Sequence, residues 1–298
     1  MAEQKMHADE VHTDASLVRR LLAAQFPQWA DLPVIPVASA GTVNALYRLG
    51  DDMVVRLPRV PRYAGSLEAE YDWLPRLAPH LPLSIPEPLA KGSAGEGYPW
   101  AWCAYRWLRG ETWTADGVDD LCTAATDLAH FITALRRIDD AEAPRRPAAY
   151  DTLAGHDSYL RPAIAAAQGW IDTVATNAAW DAALQLPAWE GTPVWVHGDL
   201  SRPGNLLVTG GRLSAVIDFG SINLGDPARE LMAAWTLFSG ESRDVFRAAL
   251  SVDDATWARG RAWTLTHVMN IAYYVETNPT IVAEAQHAIH QALTDSTA

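Results

Sequence analysis

Asp199, Asn205 and Asp218 each lie next to a short apolar run of the kind that forms a β-strand. The three runs cover residues 193–196, 205–208 and 213–217. Side chains at strand ends are held in place by a rigid scaffold and can be presented to a ligand. A carboxylate can take a proton, and carboxylate and amide oxygens are hard ligands for Mg²⁺. This hairpin therefore carries groups suited to metal-assisted chemistry on phosphates.

Phosphoryl transfer from a nucleotide requires a group that orients the attacking hydroxyl, a bound Mg²⁺ and charge stabilisation. In His197-Gly198-Asp199, the aspartate is placed to act as the base. Asn205 and Asp218 would then be the Mg²⁺ ligands. The order follows the catalytic loop and Asp-Phe-Gly of protein kinases, with glycine where those enzymes have arginine before the base.

The stretch 194–231 resembles the aminoglycoside phosphotransferases. Their three motifs, H-G-D-[L/I]-x-x-x-N, I-D-[F/W]-G and G-D-P-x-x-D-L, occur here in the same order. The resemblance runs from about Val34 to the end of the chain. It implies an α+β, two-lobed protein-kinase-like fold, with a small N-lobe built on an antiparallel sheet and a larger, mostly helical C-lobe. Residues 1–108 are expected to form the nucleotide-binding N-lobe, with 1–12 loose, and residues 109–298 the catalytic and substrate-binding C-lobe.

Two departures from the family pattern stand out. Asn205 is the sixth residue after Asp199 instead of the fifth, so the loop contains one additional residue. Either Pro203-Gly204 absorbs it as a turn and Asn205 still reaches the metal, which we favour, or the loop is distorted and metal binding is weakened. The second departure is Glu230, where the family has aspartate, and this change keeps the carboxylate.

The additional residue also directs attention to Arg202, three positions after the base. A basic side chain there can neutralise the transferring phosphoryl group. We therefore predict a catalytic role for Arg202, with a solvent-facing side chain as the alternative.

Nucleotide-binding residues follow from the same resemblance. The segment 39–44 matches a short phosphate-covering loop, with Thr42 and Asn44 as its candidates. Arg56 occupies the third-strand position that protein kinases fill with lysine, and its planar fork suits phosphate oxygens. A basic group beside phosphates needs a carboxylate to hold it. Glu70 in the following helix resembles the family's glutamate, with Glu68 as the alternative.

Arg106, Trp107 and Leu108 end an apolar strand and resemble the family's hinge, whose backbone holds the adenine. Other apolar patterns predict elements on either side of the hinge. The predicted strands are 34–39, 45–49, 53–57, 89–92 and 100–108, and the predicted helices are 15–26, 65–77, 116–138, 164–186, 227–238, 244–250, 254–276 and 281–293. The segment 139–159 is left as a connector or a substrate-side loop.

The function implied by the resemblance is transfer of the γ-phosphoryl of ATP or GTP, with Mg²⁺, to a hydroxyl of an aminoglycoside-like cationic antibiotic. The alternatives are a metabolic hydroxyl kinase of the same fold, acting on a sugar, choline-like amine or amino alcohol, and a nucleotide-binding pseudokinase. For a polycationic acceptor we expect a ring of carboxylates on the C-lobe helices, drawn from Glu230, Asp244, Glu276 and Glu284. Asp226 is instead expected to cap a helix and brace the loop.

Composition agrees with a folded protein that binds a small molecule. The chain has 298 residues, 49% of them hydrophobic, and a net charge of −13. This charge disfavours nucleic acid and anionic membranes as partners and would attract a cation. Only Cys103 and Cys122 are present, without metal-ligand spacing, and no signal peptide or membrane-span pattern occurs. A cytoplasmic protein is therefore expected.

Overall fold

A computed structural model describes residues 9–38, 43–138 and 152–295 of the chain. Its amino-terminal part is built on a five-stranded antiparallel sheet with the strand order β1-β2-β3-β5-β4. The strands are β1 (Val34–Pro36), β2 (Asn44–Leu49), β3 (Met53–Pro58), β4 (Pro88–Gly92) and β5 (Trp102–Arg106). The β2–β3 hairpin turns at Gly50, whose φ of +56° is accessible to glycine. The antiparallel sheet of the predicted fold is confirmed.

Helix α1 (Ala15–Gln25) covers this sheet through Leu17, Val18, Leu21 and Leu22. Asp14 caps its first turn by accepting a hydrogen bond from the Leu17 N–H at 2.6 Å. Helix α2 (Ser66–Leu77) lies between β3 and β4 in the chain, but its buried leucines belong to the larger core of the carboxy-terminal part. It therefore connects the sheet with the catalytic half of the molecule.

The carboxy-terminal part is mainly helical, in agreement with the predicted fold. Its helices are α3 (Leu121–Arg136), α4 (Leu153–Ala166), α5 (Thr173–Ala183), α6 (Ala233–Thr236), α7 (Gly240–Leu250), α8 (Asp254–Thr264), α9 (Val268–Tyr274) and α10 (Pro279–Thr294). Among the residues that the structure describes, none of the helices has both the length and the apolar character needed to span a bilayer.

Three helix predictions missed a break or a change of helix type within the predicted range. The predicted helix 164–186 is two helices, because Gly169 adopts a φ of +85° and Asp172 caps a new start at α5. The region 227–238 begins as a 3₁₀ helix and becomes α-helical only in α6. The predicted helix 254–276 is interrupted by a 3₁₀ turn at Leu265–His267. Of the connector predicted at 139–159, residues 139–151 lie outside the described part, and Leu153 already begins α4.

Two small sheets support the catalytic stretch. Strands β8 (Leu206–Thr209) and β9 (Arg212–Val216) form a hairpin, to which β6 (Glu111–Thr112) adds at the edge. Strand β7 (Val194–Val196) pairs instead with β10 (Asn223–Gly225). The prediction of a single hairpin was therefore wrong for β7. Its partner strand is only three residues long, too short for an alternating pattern to reveal it.

Candidate active site

The loop after β7 carries Asp199, and its path depends on Gly198. This glycine has a φ of +81°, and a Cβ there would lie 2.9 Å from the Ser221 carbonyl oxygen. A larger residue would therefore strain the backbone and push apart the two loops of the site. The structure explains why glycine, rather than the arginine of protein kinases, precedes the aspartate here.

His197 holds the same loop through hydrogen bonds of its ring. The Asp199 N–H donates to its Nδ1 at 3.3 Å, so the neutral ring carries its proton on Nε2, which donates to the Ile217 carbonyl at 3.1 Å. Burial lowers the pKa of His197 to about 4, although nearby Asp218 acts in the opposite direction. The neutral His197 ring thus connects the loop that carries Asp199 with the residue before Asp218.

Asn205 remains beside Asp199 despite the additional residue. Pro203–Asn205 forms a 3₁₀ turn in which the Asn205 N–H donates to the Arg202 carbonyl at 3.0 Å. The Asn205 amide nitrogen donates to both the carbonyl and the carboxylate of Asp199, at 2.9 Å each. The turn absorbs the additional residue, as the favoured alternative requires. The role of Asn205 as a metal ligand stays a prediction.

Asp199 is surrounded by protein on most sides. Burial raises its pKa to about 7, while the guanidinium of Arg202 lowers it and Asp218 raises it. A carboxyl whose pKa lies close to neutrality is well suited to accept a proton from a hydroxyl.

Asp218 lies opposite, at the start of the Asp-Phe-Gly turn, with a left-handed backbone at φ 65° and ψ 66°. Its Oδ1 accepts a 2.7 Å hydrogen bond from Arg56 Nη2, and Arg56 Nη1 donates to Glu70 Oε2, also at 2.7 Å. Burial raises the pKa of Asp218, but Arg56 more than offsets this and the pKa is lowered overall. The sequence-predicted residues Arg56, Glu70 and Asp218 therefore form one contiguous cluster.

Asn44 joins the cluster from β2. With its amide oxygen turned toward Arg56, it accepts from Nε at 2.9 Å and from Nη2 at 2.8 Å. Thr42, the other predicted loop residue, lies outside the described residues. Glu68, the alternative to Glu70, is exposed and pairs with Lys91, so Glu70 is the carboxylate that holds Arg56.

The predicted hinge follows β5. The Arg106 N–H donates to the Glu87 carbonyl at 2.9 Å, and the Trp107 N–H donates to the Asp52 carbonyl at 2.7 Å. The Trp107 ring lies under the Arg48 guanidinium, 4.1 Å from its centroid. With these two N–H groups engaged, Leu108 and the carbonyl groups of the segment are the better candidates for adenine contacts. The nucleotide-binding role of Arg106, Trp107 and Leu108 stays a prediction.

Comparison with known proteins decides the family. Residues 34–263 match the family model described as "Phosphotransferase enzyme family". The chain belongs to the phosphotransferase enzyme family. A comparison with curated proteins finds no match.

Solved structures show the same fold as this phosphotransferase. The APH(2″)-IIIa complex with GDP and kanamycin is 19% identical, with a TM-score of 0.72, and the match covers 92% of this chain and 97% of that one. ADP-bound aminoglycoside phosphotransferase APH(2″)-Ib is 18% identical, with a TM-score of 0.63 and 93% and 98% covered. The macrolide 2′-phosphotransferase MphH apoenzyme from Brachybacterium faecium is 24% identical, with a TM-score of 0.60 and 92% and 97% covered. With the family, this kinase-like fold makes the protein an O-phosphotransferase.

The residues present fit a Mg²⁺ ion. The Asn205 amide nitrogen is used by Asp199, which leaves the amide oxygen as the ligating atom. The Asp218 carboxylate is partly exposed, and only its Oδ1 is engaged by Arg56. An amide oxygen and a carboxylate are donors of the type that Mg²⁺ takes alongside phosphate and water.

Glu230 braces the loop that carries Asp199, and Asp226 caps the 3₁₀ helix that carries Glu230. Glu230, 1% exposed, accepts a hydrogen bond from the Gly198 N–H at 2.8 Å. Asp226 caps the 3₁₀ helix through the Ala228 N–H at 2.9 Å and pairs with Arg259 Nε at 2.8 Å. Capping by Asp226 was predicted, whereas Glu230 is a buried brace and not part of a substrate-facing ring.

Replacing Asp226 with alanine should lower the free energy of unfolding by about 3–5 kcal/mol, because the Arg259 charge would stay buried without a partner. Urea denaturation followed by tryptophan fluorescence measures the loss. The matched control is Asp254→Ala, since Asp254 pairs with Arg247 while its own side chain is 99% exposed. That change should cost less than about 1 kcal/mol. Equal losses in the two variants would show that the Asp226–Arg259 pair does not brace the protein.

A cleft of about 160 Å³ is lined on one side by Ser201, Arg202 and Pro203, which follow Asp199 in the catalytic loop. It lies between the catalytic loop and the helices α9 and α10. Its lining includes Ser201, Arg202, His267, Asn270 and Glu284. Of the four carboxylates predicted to form a ring, Glu284 is the one that lines this cleft. Asp244 and Glu276 are exposed elsewhere on the described surface.

Arg202 is half-buried at this cleft, and its positive charge is close enough to lower the pKa of Asp199. Arg202→Ala should reduce kcat roughly 100-fold while leaving the KM for nucleotide nearly unchanged, because a preorganised charge acts on the transition state. Steady-state kinetics at varied nucleotide concentration separates the two constants. Arg212→Ala, at the exposed first residue of β9, is the control. Wild-type kcat in Arg202→Ala, or in a chain lacking Ser201, would mean that the added residue is catalytically inert.

Sequence reasoning missed Arg259, His267 and Asn270. Arg259 lies 33 residues from Asp226, and no local pattern links the two. His267 and Asn270 lie in a segment that was read as one continuous helix. A histidine and an asparagine three residues apart within that apolar stretch were the available signal.

Proposed function

We propose that this phosphotransferase moves the γ-phosphoryl of ATP or GTP to a hydroxyl of a small cationic molecule, with an aminoglycoside-like antibiotic as the first candidate class. One observation carries the proposal. The Asp199–Asn205 pair, joined at 2.9 Å, and the Arg56–Glu70–Asp218 cluster, joined at 2.7 Å, are linked through His197, which hydrogen-bonds with the Asp199 N–H and the carbonyl of Ile217, the residue before Asp218. A base, two oxygen ligands and a fixed positive charge are the groups that phosphoryl transfer needs.

In the proposed reaction, each role falls to particular residues of the chain. Asp199 orients the acceptor hydroxyl and accepts its proton as the new O–P bond forms, while the bond from the γ-phosphorus to the β–γ bridging oxygen breaks and the nucleoside diphosphate leaves. Arg56, held by Glu70, contacts phosphate oxygens of the nucleotide, and Asn205 and Asp218 hold Mg²⁺. When bound, the metal neutralises charge on the phosphates. His197 and Glu230 hold the loop that carries Asp199 in a fixed position relative to Asp218.

The proposed phosphoryl donor is ATP or GTP. The GDP and ADP complexes among the structural neighbours support a nucleoside triphosphate as donor. The hinge supports the same conclusion, because its carbonyl groups can accept hydrogen bonds from either purine. We place the boundary between the two lobes at about Leu108.

Three features support a cationic acceptor in the cytoplasm. The net charge of −13 attracts cations. Neighbours of the same fold include a kanamycin complex and a macrolide 2′-phosphotransferase. Cys103 and Cys122 are both free, which suits a reducing compartment.

The experiment is a transfer assay. Purified protein with MgATP or MgGTP is incubated with aminoglycosides, macrolides, sugars, choline and amino alcohols, and mass spectrometry detects phosphorylated products. Phosphorylation of an antibiotic supports the first class, and phosphorylation of a sugar or amino alcohol alone supports the metabolic alternative. MgATP binding without any transfer would overturn the proposal in favour of the pseudokinase.

A further inference from the structure

Arg202 and Glu284 line the same cleft from opposite elements, the catalytic loop and α10. Neither side chain has a hydrogen bond or an ion pair with any other residue of the described chain. Their charges nevertheless act on each other, since Arg202 partly offsets the rise that burial causes in the pKa of Glu284. Two opposite charges therefore face a common space without touching.

The remaining titratable groups at the cleft carry no charge near neutral pH. Burial, followed by the Arg202 charge, lowers the pKa of His267 to about 4. Burial, followed by His290 and Arg243, lowers the pKa of His287. Asn270 donates to the His267 Nδ1 at 3.3 Å, which fixes the neutral ring. One permanent positive charge and one carboxylate thus define the electrostatics of the described lining.

We propose that Glu284 and Arg202 restrict the acceptor to a single ammonium group, which binds at Glu284, with the oxygen-bearing part of the molecule facing Arg202. This inference rests on the proposed function and narrows its substrate class from cationic to singly cationic molecules, so that aminoglycosides with several ammonium groups are disfavoured within that class. A carboxylate that lacks a partner is available to an ammonium group. A second ammonium group in the cleft would meet the Arg202 guanidinium, and like charges at close range disfavour binding.

The size of the cleft agrees with this reading. Pockets that enclose a drug-sized ligand have volumes of roughly 300–1,000 Å³. At about 160 Å³, this cleft holds one ring or a small amino alcohol, with the rest of a larger acceptor outside. The ammonium group and the oxygen-bearing part that faces Arg202 must then lie close together in the acceptor, because Glu284 and Arg202 line the same small volume.

The test uses acceptors that differ in the number of ammonium groups. Glucose has none, glucosamine, choline and erythromycin have one each, and kanamycin and gentamicin have several. Transfer from MgATP is followed by coupled detection of ADP for wild type and for Glu284→Gln, Arg202→Gln and Glu276→Gln. Glu276→Gln is the matched control, since it makes the same chemical change at an exposed position outside the cleft.

We expect wild type to prefer a singly cationic acceptor. Glu284→Gln should raise the KM for that acceptor at least about tenfold, with an unchanged KM for ATP, and Glu276→Gln should match wild type. Arg202→Gln should raise the kcat/KM for kanamycin relative to the singly cationic acceptor. The ratio of the two kcat/KM values is unaffected by a loss of kcat that is common to all acceptors. Thermal melting of each variant verifies folding.

The outcomes separate the inference from the proposed function. Preference of wild type for kanamycin, gentamicin or glucose would overturn the inference and leave phosphotransfer intact. So would an unchanged acceptor KM in folded Glu284→Gln, or an unchanged selectivity ratio in Arg202→Gln. Absence of transfer to every acceptor would overturn both.

Discussion

Replacing Asp199 with asparagine should lower kcat by roughly 10² to 10⁴, the range usually lost with a general base. The asparagine keeps the shape of the side chain but cannot accept the hydroxyl proton. Nucleotide affinity should change little, because the Asp199 carboxylate hydrogen-bonds with Asn205, whereas the Arg56–Glu70 pair proposed to hold the nucleotide phosphates lies on β3 and α2. Single-turnover transfer and calorimetric titration with MgATP measure the two quantities separately.

The control for Asp199→Asn is Asp244→Asn, which makes the same change on the exposed face of α7. It should keep wild-type rates. Retention of more than a tenth of wild-type turnover by Asp199→Asn would rule out Asp199 as the base. A loss of MgATP binding in the same variant would instead indicate that Asp199 acts on the metal or on the fold.

Replacing Asp218 with alanine should remove MgATP binding and transfer together. The change deletes the proposed charged ligand of the metal and also frees Arg56, which donates to Asp218 at 2.7 Å. Residues that merely support a metal ligand typically contribute 10–100-fold to affinity, so loss of the ligand itself should exceed about 100-fold. Calorimetry with MgATP and with metal-free ATP separates the metal from the nucleotide.

The same design includes Asn205→Ala, which should weaken MgATP binding to a smaller degree because it removes a neutral ligand. Asp116→Ala, in an exposed turn, is the control and should behave as wild type. Unchanged MgATP affinity in Asp218→Ala would show that Asp218 serves only to hold Arg56. Melting temperatures of each variant would exclude unfolding as the cause of a loss.

Most of the residues that the structure brings together at the candidate site could be named from the sequence because their signals are local, and their roles stay predictions. His197-Gly198-Asp199, Asn205 and Asp218 lie within 22 consecutive residues, next to strands with a clear apolar pattern. The β2–β3 hairpin, helix α2 and the position of Arg56 on β3 follow from alternation and turn residues in the same way. Such features depend on neighbours in the chain, so the order of residues determines them.

Only the tertiary structure decided which of these residues meet. Arg56 and Asp218 are 162 residues apart, and their contact depends on how α2 packs against the turn after Asp218. The pairing of β7 with β10, the burial of Glu230 under Gly198 and the Arg259 partner of Asp226 have the same origin. Arg202 and Glu284 line one cleft together with His267 of the 3₁₀ turn Leu265–His267, against which α10 packs. Contacts of this range are set by the packing of whole helices, which the spacing of residues in the sequence does not encode.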